Sequence, residues 1–222
     1  MKKAVIFDMF ETLVTYYNCP VYFGTQMAED AGIPVHLFLE SWRATEYDRS
    51  CGKITSHEVM ERILKENNCY SPELLQKLLR KRCTTIEECF QHLHPEILVM
   101  LQNLKAQGVL IGLISNCYLE EAEIIRKSEL FPYFDAVCLS NEQGIRKPDK
   151  EIFHRCMEML GVTPEEYVYV GDGGSCELET AQELGMAAVQ ATWYFKRGVS
   201  QSGSRKSEFP QAETPKDILQ FL

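Results

Sequence analysis

The stretch AVIFDMFETLV, residues 4–14, decides how this chain is interpreted. Its first four residues are apolar without polar alternation, which is typical of a strand covered on both faces of a parallel sheet. The run ends at a single acid, Asp8, and Phe10 stands two positions later, where a polar group would be expected. An acid after a strand is most often a turn or a helix cap. The alternative is that Asp8 is a nucleophile whose usual partner has been replaced.

The rest of the chain repeats this apolar pattern at intervals and places helical patterns between the runs. The predicted strands are 4–7, 109–114, 136–139, 167–170 and 187–191, and the predicted helices are 95–106, 119–128, 150–160 and 176–184. Such alternation is typical of a parallel sheet with right-handed crossovers. We therefore predict an α/β fold with a Rossmann-like parallel sheet, a loop at 198–207 and a closing helix at 215–222.

Residues 16–90 break this alternation, because they contain no convincing strand. Thr55 and Glu58 fit a capping box, and Ser71 followed by Pro72 is a second helix start. We predict a helical module inserted directly after the first strand.

Composition narrows the function classes. The chain has 222 residues and a formal charge of −9, which argues against non-specific nucleic-acid binding but is compatible with a small anionic substrate at a local positive site. Nine cysteines without a Cys-x-x-Cys pair indicate reduced thiols. The apolar stretches are far shorter than the roughly 20 residues that a membrane span needs. We expect a cytoplasmic monomer or weak homodimer that binds neither nucleic acid nor membranes.

Polar groups collect where the predicted strands end, and ligands of parallel sheets bind beyond that edge. The residues are Asp8, then Ser115 and Asn116, Lys147 before Pro148, Asp172 within Gly-Asp-Gly-Gly-Ser, and Glu177. Each is a weak signal alone. Together, two carboxylates, a hydroxyl, an amide and an ammonium predict a site for a divalent cation and a phosphoryl group.

This order resembles the four motifs of the haloacid dehalogenase superfamily, in the branch of phosphoglycolate phosphatase, β-phosphoglucomutase and 2-haloacid dehalogenase. The family's Asp-x-Asp-x-Thr-Leu corresponds to residues 8–13, its Ser or Thr to Ser115, its Lys to Lys147, and its Gly-Asp-x-x-x-x-Asp to residues 171–177 with Glu177 in the last place. The resemblance covers the whole chain. It implies a core domain of residues 1–15 and 91–222 and a helical cap domain of residues 16–90.

The resemblance also implies the roles of the site residues. Asp8 would be the nucleophile that forms an aspartyl-phosphate. Mg²⁺ would bind Asp8, the main-chain carbonyl of Phe10 and Asp172, with Glu177 as a supporting acid. Ser115 and the backbone of Asn116 would hold phosphoryl oxygens, and Lys147 would neutralise the charge between Asp8 and the phosphoryl group.

Phe10 departs from the family pattern, because phosphatases of the family have an Asp there that protonates the leaving group. The chain is then a phosphatase that acts on good leaving groups or takes a proton elsewhere, with Glu11 the nearest spare acid. A 2-haloacid dehalogenase also has an aromatic residue at this position, but it does not rely on Mg²⁺ and lacks the Gly-Asp pair of the fourth motif. A phosphonoacetaldehyde hydrolase would need a cap lysine, for which Lys53 and Lys65 are available. A non-catalytic phosphate-binding or regulatory protein is the last alternative, and we favour the phosphatase.

In this family, substrate choice is expected to come from the cap. The candidate residues are Tyr16, Tyr17, Trp42, Arg43, Arg49 and Lys53. Arg43 and Arg49 are suited to pair with a substrate carboxylate or a second phosphate, or they are surface arginines. Trp42 is either a stacking platform or part of the cap's own core.

Overall fold

The computed structural model describes residues 2–195 and 204–222. Within them a single parallel sheet is formed by β1 (Ala4–Phe7), β2 (Leu110–Ser115), β3 (Ala136–Leu139), β4 (Tyr167–Gly171), β5 (Ala187–Ala191) and β6 (Gln211–Ala212), in the order β3-β2-β1-β4-β5-β6. The first five strands lie within one residue of their predicted bounds. β6 was not predicted, since two residues carry no periodicity.

The helices within the described residues are α1 (Gly24–Ala31), α2 (Val35–Ala44), α3 (Glu46–Ser50), α4 (Ser56–Glu66), α5 (Pro72–Gln91), α6 (Ile97–Ala106), α7 (Leu119–Lys127), α8 (Ser140–Gln143), α9 (Lys150–Leu160) and α10 (Glu177–Glu183). Thr55 and Ser71 cap α4 and α5 as predicted. A 3-10 helix, Pro215–Phe221, stands at the predicted closing helix. Of the predicted loop, 204–207 has no helix or strand, and 198–203 lies outside the described residues.

The sheet is buried on both faces, because alternate residues of its strands belong to different apolar clusters. In β1, Val5 and Phe7 belong to one cluster, while Ala4 and Ile6 belong to the other. Helices α1, α2, α4 and α5 bury a third cluster of their own, which includes Phe38. Since β1 lies between β2 and β4, Asp8 emerges at the middle of the sheet's carboxyl edge.

Two findings bear on composition. Among the described residues, no helix is both long enough and apolar enough to span a membrane. All nine cysteines lie within these residues, and all are free.

Candidate active site

The sheet brings the ends of β1, β2 and β4 side by side. The Asp8 amide donates to the carbonyl of Val170 at 2.9 Å, which fixes the residue against the neighbouring strand. Ser115 and Asp172 occupy the matching ends of the two flanking strands and are buried. The polar groups predicted from separate parts of the sequence therefore meet at one edge.

Lys147 reaches Asp8 from the loop before α9. Its Nζ lies 2.6 Å from Asp8 Oδ1, and the lysine side chain is 1% exposed. The ammonium also donates to the Ile114 carbonyl at 3.1 Å and to the Tyr169 hydroxyl at 3.3 Å. Asn116 holds the loop by accepting from the Lys147 amide at 2.8 Å and donating to the Lys147 carbonyl at 3.0 Å. The lysine is thus positioned at both its backbone and its ammonium.

The electrostatic state of Asp8 reflects its surroundings. Burial raises the pKa of Asp8 to about 7; the Lys147 ammonium opposes this shift, while Glu177 and Asp172 add to it. Additional positive charge beside Asp8 would lower its pKa and favour the ionised carboxylate. A cation bound beside these carboxylates would provide it.

Three carboxylates form a cluster able to hold a metal. Oxygens of Asp8, Asp172 and Glu177 lie within 4.8 Å of one another, and all three residues are buried. Oxygen donors of this type suit Mg²⁺. Each oxygen of Glu177 accepts a backbone N–H, from Gly173 at 2.7 Å and from Ser175 at 2.7 Å. Glu177 therefore shapes the loop after β4, and Asp8 and Asp172 are the better placed ligands.

Gly171 explains why this arrangement fits. A Cβ at this position would lie 2.7 Å from Glu177 Oε1, closer than such atoms approach. The glycine of the fourth motif thus makes room for the acid that folds the loop.

The Ser115 hydroxyl is fully buried, and its Oγ has no hydrogen-bond partner among the described residues. A buried hydroxyl without a partner costs about 1–3 kcal/mol. At the end of β2 it is suited to donate to a phosphoryl oxygen.

Phe10 and Glu11 occupy the turn after Asp8. The Phe10 ring stacks on Tyr16 with centroids 4.7 Å apart, and it meets the Phe90 ring edge-on at 6.3 Å. Glu11 has a φ of 58° and accepts from Thr15 Oγ1 at 2.7 Å and from the Tyr16 amide at 3.0 Å. Glu11 therefore holds a left-handed turn closed, which is a structural use of the spare acid.

Two adjoining cavities open onto these residues. One, of about 230 Å³, is lined by Asp8, Lys147 and Asp172. The second, of about 600 Å³, shares Lys147 with the first and extends to Trp42 and Tyr118. A larger cavity of about 960 Å³ lies against α5 and includes none of the clustered carboxylates. The site chemistry therefore belongs to the first two.

The residues predicted to determine substrate choice lie in different environments in the structure. Trp42 lines the second cavity and is also part of the helical cluster. Arg49 is buried, with its guanidinium carbon 3.6 Å from the Trp42 ring centroid and 4.2 Å from that of Tyr118. Arg43 is exposed and lines neither cavity.

Of the remaining predicted cap residues, the tyrosines lie at one of these two cavities and the lysines do not. Tyr16 and Tyr17 line the smaller cavity. The side chains of Lys53 and Lys65 are 59% and 58% exposed and pair with nearby acids, so neither is a lysine of the site.

Sequence reasoning missed a buried ion pair beside the cavity of about 600 Å³. Arg82 donates to Glu120 at 2.7 Å and to Glu121 at 2.6 Å, and Tyr16 donates its hydroxyl to Glu121 at 3.1 Å. Tyr118 and Tyr169 were also missed. No local motif marks them, since each acts through a contact between distant elements.

Comparison with known proteins identifies the family. Residues 2–185 match the model of the haloacid dehalogenase-like hydrolases. The glyceraldehyde 3-phosphate phosphatase of Methanopyrus kandleri is 26% identical over 243 residues, which cover 100% of this chain and 97% of that protein. The protein of the same name from Methanothermobacter thermautotrophicus is 31% identical over 201 residues, covering 85% of each. The match to the Methanocaldococcus jannaschii protein of that name, 35% identical over 98 residues, spans 44% of this chain and only 43% of that protein.

Solved structures agree on the fold. A HAD family enzyme of Bacteroides thetaiotaomicron, in complex with magnesium and inorganic phosphate, has a TM-score of 0.69 at 18% identity, covering 89% of this chain and 98% of that one. A 2-haloacid dehalogenase of Pseudomonas syringae pv. tomato has a TM-score of 0.68 at 23% identity, covering 99% and 97%. Together with the family match, these findings show that the chain belongs to the haloacid dehalogenase-like hydrolase family.

Proposed function

We propose that this hydrolase is a Mg²⁺-dependent phosphatase that acts on a small phosphate monoester through an aspartyl-phosphate on Asp8. The observation that carries the proposal is the meeting of the Asp8–Lys147 pair with Asp172 and Glu177 at one sheet edge. The relatives named as phosphatases support the same reaction class.

Asp172, Asp8 and the main-chain carbonyl of Phe10 are the groups that would hold Mg²⁺. When bound, the ion would neutralise phosphoryl charge and keep the carboxylates ionised. The carboxylate cluster fits this role, and the Bacteroides thetaiotaomicron neighbour was crystallised with magnesium.

The protein's own groups account for the remaining steps. An Asp8 oxygen attacks phosphorus, the bond from phosphorus to the leaving oxygen breaks, and the leaving group departs with the electron pair. Ser115 and the backbone of Asn116 hold the phosphoryl oxygens, and Lys147 lets two anions approach each other. Water then attacks phosphorus, which releases inorganic phosphate and restores the Asp8 carboxylate.

We further propose that residues 16–90 act as a cap domain over this site. Trp42, Ser50 and Arg82 from this segment line the same cavity as Lys147 and Asn116. A cover of this kind excludes water that would otherwise compete for the activated phosphoryl group.

Carbon–halogen hydrolysis is the second candidate function, and Phe10 is the observation that favours it. A halide leaves without a proton, so an aromatic residue costs that reaction nothing. The buried Asp172 and Glu177 favour the phosphatase, because dehalogenation has no use for a cation site.

Purified protein should release phosphate from p-nitrophenyl phosphate in the presence of Mg²⁺. EDTA should stop the reaction, and added Mg²⁺ should restore it. Halide release from a 2-haloacid, unaffected by EDTA and without phosphate release, would favour the second candidate and refute the first.

A further inference from the structure

We infer that the leaving group is a planar aromatic alcohol, so that the substrate is a phosphate ester of a phenol. The inference rests on the phosphatase activity proposed above and adds the substrate class. It draws on the walls of the cavity of about 600 Å³ and, independently, on the chemistry of Phe10.

Five aromatic rings contribute to the wall beyond the phosphoryl site. Phe10, Tyr16, Phe23, Trp42 and Tyr118 all line the cavity of about 600 Å³. Phe10 and Tyr16 lie parallel within 8°, and Phe23 meets Tyr16 edge-on at 5.4 Å. Flat rings bind well in such offset and edge-on arrangements. The volume lies within the range of small-molecule sites, roughly 300–1,000 Å³.

Every lysine and arginine lining this cavity, among the described residues, is already in an ion pair. Lys147 pairs with Asp8 at 2.6 Å, and Arg146 pairs with Glu46 at 3.1 Å. Arg82 pairs with two carboxylates and is 6% exposed at its side chain. A carboxylate or second phosphate on the substrate would compete with a carboxylate of the protein for each of these cations.

Arg49 is not among the residues that line this cavity. Its guanidinium lies between the rings of Trp42 and Tyr118, and it donates to the Trp42 carbonyl at 2.6 Å. Its Nη1 is buried and has no hydrogen-bond partner among the described residues, so binding of a substrate anion by Arg49 stays a prediction. Arg43 is exposed and lines neither cavity.

Two hydroxyl groups in the cavity wall already have partners within the protein. The Tyr16 hydroxyl donates to Glu121 at 3.1 Å, and Ser50 Oγ lies 3.1 Å from Ser140 Oγ. A polyol such as a sugar would compete with these partners, whereas an apolar ring would not.

The chemistry of Phe10 gives the independent reason. Without a proton donor at this position, the leaving oxygen departs as an anion. A phenol such as the tyrosine side chain has a pKa of about 10, whereas an alkyl alcohol, like water, is a far weaker acid. Phenoxide is therefore the better leaving group by several orders of magnitude in basicity.

Inhibition by three phosphonates of the same phosphoryl charge tests the wall without depending on turnover of the phosphonate. Phenylphosphonate presents an aromatic ring, 2,3-dihydroxypropylphosphonate a polyol and phosphonoacetate a second anion. Measured against p-nitrophenyl phosphate with Mg²⁺, phenylphosphonate should bind about tenfold more tightly than the other two, since one or two ring contacts give about 1.4 kcal/mol.

A matched pair of variants tests whether the preference for phenylphosphonate comes from the rings of this cavity. Phe23→Leu should weaken inhibition by phenylphosphonate severalfold more than it weakens inhibition by inorganic phosphate. Tyr70→Leu removes an aromatic residue that is 38% exposed and lines neither cavity, so it should change nothing. If Phe23→Leu does not fold, the comparison of the three phosphonates on the wild type remains decisive.

The outcomes separate the two proposals. Equal inhibition by the three phosphonates, or tighter binding of the polyol or the second anion, with phosphate release intact would overturn the phenolic substrate alone. Absence of phosphate release from every ester would instead refute the phosphatase.

Discussion

Two buried ion pairs of equal length have different surroundings in this molecule. Lys147 lies 2.6 Å from Asp8, and Arg82 lies 2.6 Å from Glu121. The Arg82 pair joins α5 to α7, and its carboxylates are further held by Ser56 and Tyr16. The Lys147 pair lies among two further carboxylates that one ammonium cannot balance. The comparison teaches that surplus negative charge, and not burial or distance, distinguishes the pair that we propose to be reactive from the one that holds two helices together.

The largest effect is expected at the structural pair. Arg82→Met leaves two carboxylates buried without their partner, which should lower the free energy of unfolding by about 3–5 kcal/mol. Urea denaturation measures this change. Arg62→Met, at a side chain 46% exposed, is the matched control and should change stability by less than about 0.5 kcal/mol. Equal stability of both variants would show that the Arg82 pair does not hold α5 to α7.

At the reactive pair the loss should appear in function. Lys147→Ala should lower kcat/KM for p-nitrophenyl phosphate by roughly 10²–10³-fold, since removal of one charge-stabilising donor has that effect. It should also weaken inhibition by inorganic phosphate. Lys150→Ala, at a side chain 52% exposed, is the control. Full activity of Lys147→Ala would show that Lys147 is not the lysine of the third motif.

The smallest effect concerns the leaving group. Wild-type rates should fall steeply as leaving-group pKa rises, once chemistry is shown to limit turnover, because Phe10 supplies no proton. Phe10→Asp should help alkyl esters most, by up to about 10²-fold. The new acid must tolerate the Tyr16 and Phe90 rings, so the wild-type series is the cleaner comparison. A flat dependence would mean that another group protonates the leaving oxygen.

The two regions also differ in how far sequence could predict them. The ends of β1, β2 and β4 were predictable, because apolar runs set the strands and a parallel sheet brings their carboxyl ends together. Arg82 was not, because its contacts with Glu120 and Glu121 depend on how α5 packs against α7.

Arg43 and Arg49 show the same limit within one segment. Both arginines follow Trp42 closely in sequence, yet one is exposed and the other lies buried between two rings. Helix rotation and tertiary packing decide this, and neither can be read from local composition. The aromatic wall could not be predicted for the same reason, since its rings come from the segment between β1 and α1, from α2 and from the start of α7.

Chemical trapping on Asp8 tests the central claim most directly. The protein is mixed with p-nitrophenyl phosphate and Mg²⁺, quenched in acid during turnover, digested at low pH and examined by mass spectrometry. The account predicts one added phosphoryl group on the peptide that contains Asp8, and neither adduct nor turnover in Asp8→Asn. A phosphoryl group on another residue, or full turnover by Asp8→Asn, would contradict it.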